Sequence, residues 1–431
     1  MILTQKAEKE MDVLTCQRYQ KILENELKPA MGCTEPIAIA YCVAYAKSVL
    51  GRLPDRCDLY CTSSIIKNAN VVTVPQTGGL RGIEAAALAG FFGGDATREL
   101  EVLSSLTDDD RNKIREHLGI GLIRIHLIEH ETPLRIEAVL YAGEDSASAE
   151  IVGTHTGLGT VRRNGVVLNE GRHRSLHEEE SPYESLHIRD ILAFAETVDL
   201  SELADLLRLQ IRYNTGIANE GLTHDWGVRV GKTILTRGEG DLRAKAKAMA
   251  AAGSDARMNG CAMPVVINSG SGNQGLTVSL PVIVYAEEMG VAEERLLRAL
   301  CVSNLVAIRQ KTVIGRLSAY CGAVCAATGA IAGISYLHGD SYEVISQSIV
   351  NSIGCIGGMI CDGAKSSCAN KIAIALECAF LGYDLAREGE AFQEGEGIIK
   401  SGVEETIDSI GRMAKEGMHE TNRVILDIML E

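Results

Sequence analysis

The twenty residues SAYCGAVCAATGAIAGISYL (318–337) carry no charge and are built largely of small side chains. A stretch of that length and polarity has two homes. One is a bilayer, which roughly 20 apolar residues cross as a helix. The other is the centre of a helical body, where small side chains let neighbouring helices approach from all round. Tyr320, Thr328 and Ser335 dilute the hydrophobicity, and no second stretch of the kind occurs in 431 residues. The expectation is a central helix packed by others, and no membrane partner.

At 46% apolar and 23% charged residues, the chain can bury a large core and should divide into two or three domains. Its first part is mixed. The opening residues read as helix, ending near Leu50-Gly51. LYCTSSIIKNANVVTVP (59–75) and IRIHLIEHETPLRIEAVLY (123–141) then read as strands, the second with Ile123, Ile125, Leu127 and later Leu134, Ile136, Ala138 and Leu140 in alternation. TVRRNGVVL adds a hairpin with Asn164-Gly165 at its tip, a pair that tolerates the positive φ of a type I′ turn. Helices are expected over 82–92 and 108–117. The charged stretch GRHRSLHEEESPYES (171–185) separates this region from one in which Leu203, Leu206, Leu207 and Ile211 fall at helical spacing and strand signals are few. The fold class expected is α+β: a mixed domain over 1–185, an all-helical domain over 186–431, and the active site between them.

A formal charge of −15 leaves no basic stripe to neutralise phosphates, so nucleic acid is not an expected partner and a small molecule is. The start, MILTQKAEKEMDVL, lacks the apolar run and cleavage site of a secretory signal, and a cytoplasmic location is expected. That location governs how thirteen cysteines are read: as buried small hydrophobes, metal ligands or nucleophiles, and not as a disulfide framework.

Three features carry candidate chemistry. The first is CDGAKSSC (361–368), preceded by Cys321 at the start of the small-residue stretch. These thiols lack the paired spacing of a zinc ribbon and the compact spacing of a bacterial ferredoxin. Gly363 and the serines would let the loop curl so that Cys361 and Cys368 face one iron-sulfur cluster, with Cys321 as a third ligand. Cys325, a full turn further along the same helix, and Cys355, in a Gly-Cys-Ile-Gly setting suited to packing, rank below them. The second feature is NSGSGNQG (268–275), read as a loop before a helix beginning near Leu280. Its backbone N–H groups would form a nest for a carboxylate beside the Ser269 and Ser271 hydroxyls, Gly272, and the Asn273 and Gln274 amides. The third is MGCTEP (31–36). Pro36 suits the first turn of a helix capped by Thr34 or Glu35, which places Cys33 just outside a helix N-terminus, where the macrodipole favours a thiolate. A buried cysteine beside a cap is the plainer alternative.

MGCTEPIAIAY, SGSGNQG, AYCGAVCAATGAIAG and GCIGGMICDGAKSSCANKI together resemble the L-cysteine desulfidase family, itself related to the α chain of bacterial iron-sulfur L-serine dehydratases. The resemblance runs from about Met31 to near the C-terminus, with the last two cluster cysteines closer together here than in the dehydratases. It implies a 4Fe-4S cluster held by Cys321, Cys361 and Cys368 with one iron open, and easily lost in air. It also implies conversion of L-cysteine to pyruvate, ammonia and sulfide without pyridoxal phosphate, with Cys33 as the catalytic base and Glu35 as the alternative. Thr34 and Asn70, the latter facing the ammonium, join the substrate-binding set, and Lys365 supports the cluster's charge. L-Serine deamination on the same cluster is the nearest alternative, and a homodimer is compatible with the reading.

Two rivals are weaker. SGNQG also resembles the loop by which pyridoxal-phosphate β-eliminases hold a carboxylate, but that fold needs a Schiff-base lysine upstream among alternating strands and helices. A cysteine-rich metal store or transporter leaves Cys33 and the SGSGNQG nest without a purpose.

Overall fold

The computed structural model describes residues 12–130, 132–171 and 182–431. Most of the charged stretch expected to divide the chain, and the first eleven residues, lie outside them. The mixed region runs α1 (Val13–Glu26), β1 (Pro29–Met31), α2 (Thr34–Leu50), β2 (Arg56–Thr62), α3 (Ser63–Ala69), α4 (Gly82–Phe92), α5 (Asp108–His117), β3 (Ile123–Ile128), β4 (Arg135–Ala142), β5 (Asp145–Val152), β6 (Leu158–Arg163) and β7 (Val166–Asn169). The helical region follows with α6 (Ile188–Thr197), α7 (Ala204–Thr223), α8 (Val230–Arg237), α9 (Leu242–Met258), β8 (Pro264–Val266), α10 (Gly272–Met289), α11 (Glu293–Ile314), α12 (Gly322–His338), α13 (Tyr342–Ile356), α14 (Cys368–Arg387), α15 (Val403–Arg412) and α16 (His419–Leu430). The expected α+β class, with a sheet region before a larger helical one, is what the chain adopts.

Six strands form one sheet in the order β3-β2-β4-β5-β6-β7, with β2 and β3 parallel and the other neighbours antiparallel. On β4 every second residue is buried, as its alternation requires. The hairpin at Asn164-Gly165 has φ of 48° and 80°, the left-handed pair of a type I′ turn. α2 is buried on nearly all sides. It lies so close to the sheet that the Cys42 thiol stands 3.2 Å from the Ala149 carbonyl oxygen. On its other side α4 approaches at Gly90, where any side chain would strike the Ala40 carbonyl.

Three sequence expectations change. SSIIKNA, read as strand, folds as α3, because Ile65 and Ile66 are consecutive rather than alternating and Lys67 turns inward. The N-terminal helix is broken by β1, with Gly32 at φ 60° packed against Pro75. The helical region also holds one short strand, β8, which pairs antiparallel with β1, Pro29 opposite Val266.

The small-residue stretch becomes α12, buried from Ala323 to Leu337. It packs against α10, α11, α13 and α14. Gly329 lets α11 close in, since a methyl group there would collide with the Ser303 carbonyl. Among the described residues no helix is long and apolar enough to cross a membrane. One contiguous apolar core joins Leu59 and Ile136 of the sheet region to Leu280 and Ile331 of the helical region.

Candidate active site

Four helices begin around one cavity of about 100 Å³. α2 contributes Thr34 and Glu35, α10 Asn273 and Gln274 with Ser271 at its N-cap, α12 Gly322 and Ala323 with Cys321 at its N-cap, and α14 Cys368 and Lys371. Each helix turns its unsatisfied N–H groups and the positive end of its dipole toward the same space.

The ribbon of β1 and β8 sets two of these starts side by side. Cys33 follows β1 and is itself the N-cap of α2, one residue before Thr34 and two before Glu35, the caps expected, and Thr34 Oγ1 donates to Glu35 Oε2 at 3.1 Å. On the β8 side, SGSGNQG is a tight turn that passes directly into α10, not a free loop ending near Leu280. Ser269 and Gly270 take φ of 51° and 79°, and Ser271 Oγ accepts from Gln274 N at 3.4 Å. Ser269 is buried, its hydroxyl donating to Asn268 Oδ1 at 2.8 Å, and it does not line the cavity. Gly272 admits the Arg257 side chain, which a Cβ there would displace.

Cys321, Cys361 and Cys368 all line the cavity. Cys321 and Cys361 are held abreast by backbone bonds, Cys321 N to the Met359 oxygen at 2.9 Å and Cys361 N to the Ala319 oxygen at 2.6 Å. Burial pushes the Cys321 thiol well up, reinforced by the neighbouring Cys361 thiol, and burial also raises Cys368. Among the described residues no three side chains converge as the ligands of a single ion would. Thiolates that bind separate irons of a cluster stand around a volume instead, and three sulfurs around one cavity fit that donor set.

The surrounding charges fit it too. Lys311 is buried, pushed down by desolvation and held up in turn by Cys325, Cys361 and Cys321. Lys67, equally buried, donates to the Cys361 carbonyl at 3.0 Å and to Asn422 Oδ1 at 2.7 Å, tying α3 and α16 to the cysteine loop. Lys365 instead pairs with Asp362, as does Lys371. Cys325 is fully buried against Lys311 and lies off the cavity, and Cys355 is exposed.

Cys33 stands behind the wall, packed with Val72 and Met258 and touching Cys368 and Ala364. Burial pushes its thiol up to about 12, with Arg257 pulling the other way. The thiolate expected from the helix dipole is therefore not the resting state. Burial also pushes the Glu35 carboxyl up, but His155 and the Asn68 amide more than offset it and leave it at about 2. Asn68 Nδ2 donates to Glu35 Oε1 at 3.0 Å, and His155 Nε2 lies 3.8 Å from the same oxygen, within ion-pair range and too far for a hydrogen bond. Asn70, the expected ammonium contact, sits at the end of α3 off the cavity.

The fold also brings forward Asn68, His155, Arg257, Lys67 and Lys311, which no motif marks. A polar residue inside a buried apolar run, as in SSIIKNA or NLVAIRQK, is the one signal in the sequence that points to Asn68, Lys67 and Lys311. Several buried polar atoms near the cavity have no hydrogen-bonding partner among the described residues: Asn68 Oδ1, His155 Nε2, Arg257 Nε, Gln274 Oε1 and Tyr320 Oη. Unpaired buried polar groups are costly, and here they edge a space a ligand could fill.

Known proteins resemble the chain over most of its length. The family described as serine dehydratase alpha chain matches residues 97–427, which takes in the α10 turn and all three cavity cysteines but not α2. A UPF0597 protein of Lachnoclostridium phytofermentans is 50% identical over 409 residues, 95% of this chain and 98% of that protein. UPF0597 proteins of Desulfitobacterium hafniense and Treponema denticola are each 44% identical over 96% of this chain, covering 96% and 98% of their own lengths. The chain thus belongs to the serine dehydratase alpha chain family, lyase-type enzymes associated with iron-sulfur clusters.

Proposed function

We propose that the protein is a pyridoxal-phosphate-independent β-elimination lyase that converts L-cysteine to pyruvate, ammonia and sulfide, with a 4Fe-4S cluster held by Cys321, Cys361 and Cys368. The observation that carries this reading is that three thiols share one cavity with an ionised glutamate and the open end of α10. When bound, such a cluster supplies an open iron, a Lewis acid toward the leaving group.

The chain's own residues do the rest. Ser271, Asn273 and Gln274 offer hydrogen bonds where the substrate carboxylate lies, at a helix N-terminus that favours an anion. Glu35, ionised and lining the cavity beside Thr34, takes the ammonium, and Asn68 rather than Asn70 is placed to assist it. With Thr34 and Asn68 already donating to its oxygens and its pKa near 2, Glu35 is a weak base. Cys33 is the base in this scheme. Cys33 packs behind the cavity wall against Cys368 and Ala364, so in this scheme substrate binding shifts that wall and the thiol proton passes to solvent; the resulting thiolate, a far stronger acceptor, receives the Cα proton as the Cβ–S bond breaks. The released 2-aminoacrylate tautomerises and hydrolyses in water.

L-Serine is the second reading, favoured by the family description. Anaerobic reconstitution with iron and sulfide, followed by pyruvate and sulfide assays on L-cysteine and L-serine side by side, separates the two. We expect pyruvate and sulfide from L-cysteine at a kcat/KM at least about tenfold above that for L-serine, about 1.4 kcal/mol of transition-state preference. Cys321→Ala, Cys361→Ala and Cys368→Ala should each lose iron, and Cys325→Ala should keep it. The opposite substrate preference would make the enzyme a serine deaminase, and fully loaded protein inert toward both would end the lyase reading.

A further inference from the structure

We infer that Arg257 is the anchor for the substrate's α-carboxylate, so that the site selects a free α-amino acid and rejects the same molecule with its carboxyl blocked as an amide, ester or peptide bond. This rests on the lyase reading above, although the recognition it describes is separable from the reaction.

Arg257 lies in the last turn of α9, is buried, and lines the cavity. Its one hydrogen bond runs from Nη1 to Asn273 Oδ1 at 3.1 Å, and its buried Nε has no acceptor among the described residues. No carboxylate among the described residues lies within ion-pair distance of it. The other cations of the wall are differently engaged. Arg316 pairs with Glu26, Nη1 to Oε2 at 3.1 Å, Lys371 pairs with Asp362, and Lys311 faces the thiols. Arg257 is thus the guanidinium left without an anion in a ligand-sized space.

A buried, always-protonated guanidinium is expensive to leave unpaired. Its planar fork matches a carboxylate, and the match is bidentate at little further entropic cost. The sequence makes room for it, because Gly272, the first residue of α10, has no side chain where the guanidinium passes. The carboxylate would then sit between that cation and the N–H groups of α10, with Glu35 in the same cavity for the ammonium. A carboxylate and a guanidinium lining one cavity complement a zwitterion. Cysteamine, or an N-terminal cysteine in a peptide, would leave Arg257 unsatisfied.

The test uses ligands that cannot react. Calorimetric titration of the iron-reconstituted protein, and of iron-free protein in parallel, compares L-alanine with L-alaninamide. We expect wild-type protein to bind L-alanine at least about tenfold more tightly, the lower range for a charge-assisted pair, and Arg257→Gln to erase the difference. Arg257→Lys, which keeps charge and bulk but loses the fork, should retain only part of it and serves if the glutamine variant does not fold. Equal affinities in the wild type, binding of neither ligand included, would overturn the assignment. So would discrimination that survives Arg257→Gln but vanishes in Lys311→Met. If the reconstituted enzyme turns over neither L-cysteine nor L-serine while the discrimination holds, the lyase reading fails and the carboxylate site stands. Turnover with undiminished discrimination in Arg257→Gln does the reverse: the lyase reading stands and Arg257 is not the anchor.

Discussion

At Cys33 two local fields oppose each other. The residue caps α2, and a helix N-terminus stabilises a thiolate by about 0.3–1 kcal/mol at an exposed site and by no more than ~2 kcal/mol when partly buried. Removing the sulfur from water opposes ionisation by more than that, and the thiol rests near 12. A proton acceptor that is strong but seldom ionised fits a reaction in which binding must first alter the charges around it. Cys33→Ser, nearly isosteric and a far poorer base, should keep the iron and lose turnover by at least about a hundredfold, the low end of what a positioned base contributes. Exchange of the substrate Cα deuteron into solvent should vanish with it. Iron analysis and isotope exchange on that one variant decide the role, since lost iron would make Cys33 a ligand beside Cys368, and surviving exchange would pass the task to Glu35. Cys33, Glu35 and the three cavity thiols stand out in the sequence because they sit in distinctive local strings. His155 and Arg257 do not. GTHTG and SDARMNG look like any turn or helix end, and only the folded chain shows which polar atoms lack partners.

Elements are legible where pattern and local chemistry agree. α4 and α5 end where the sequence indicates, and α5 begins with a full capping box between Thr107 and Asp110. β5 escapes such a reading. DSASAEIV is poor in the branched and aromatic residues that mark strands, because Ala147 and Ala149 must be small for α2 to lie on the sheet. The same economy of volume governs α12. Gly329→Ala places a methyl group against the Ser303 carbonyl of α11, and two helices in a fully packed core cannot part at one point without cost. A loss of about 1–3 kcal/mol in unfolding free energy is expected from urea titration, with unchanged m-value. Because α12 begins at Cys321, the variant should also retain iron less well.

On the scale of the whole molecule, the continuous core, the Lys67 bridge to Asn422 and the β1-β8 ribbon all join the sheet region to the helices. Hydrogen exchange followed peptide by peptide through a denaturant series should show β4 and α12 losing their slowest-exchanging amides at one concentration, as a single cooperative unit does. Two separated transitions would show that the regions unfold independently. The ribbon also bears on how the chain is made. Residues 29–31 leave the ribosome well before residues 264–266, their strand partner, and the thiols of α12 and α14 come later still. The entropy of closing so long a loop rises only logarithmically with its length, so the delay is one of synthesis and not of thermodynamic difficulty. The nascent chain therefore carries Cys33 at an unfinished edge for much of translation, and the three thiols of the cavity can share one space only after everything through Cys368 has emerged.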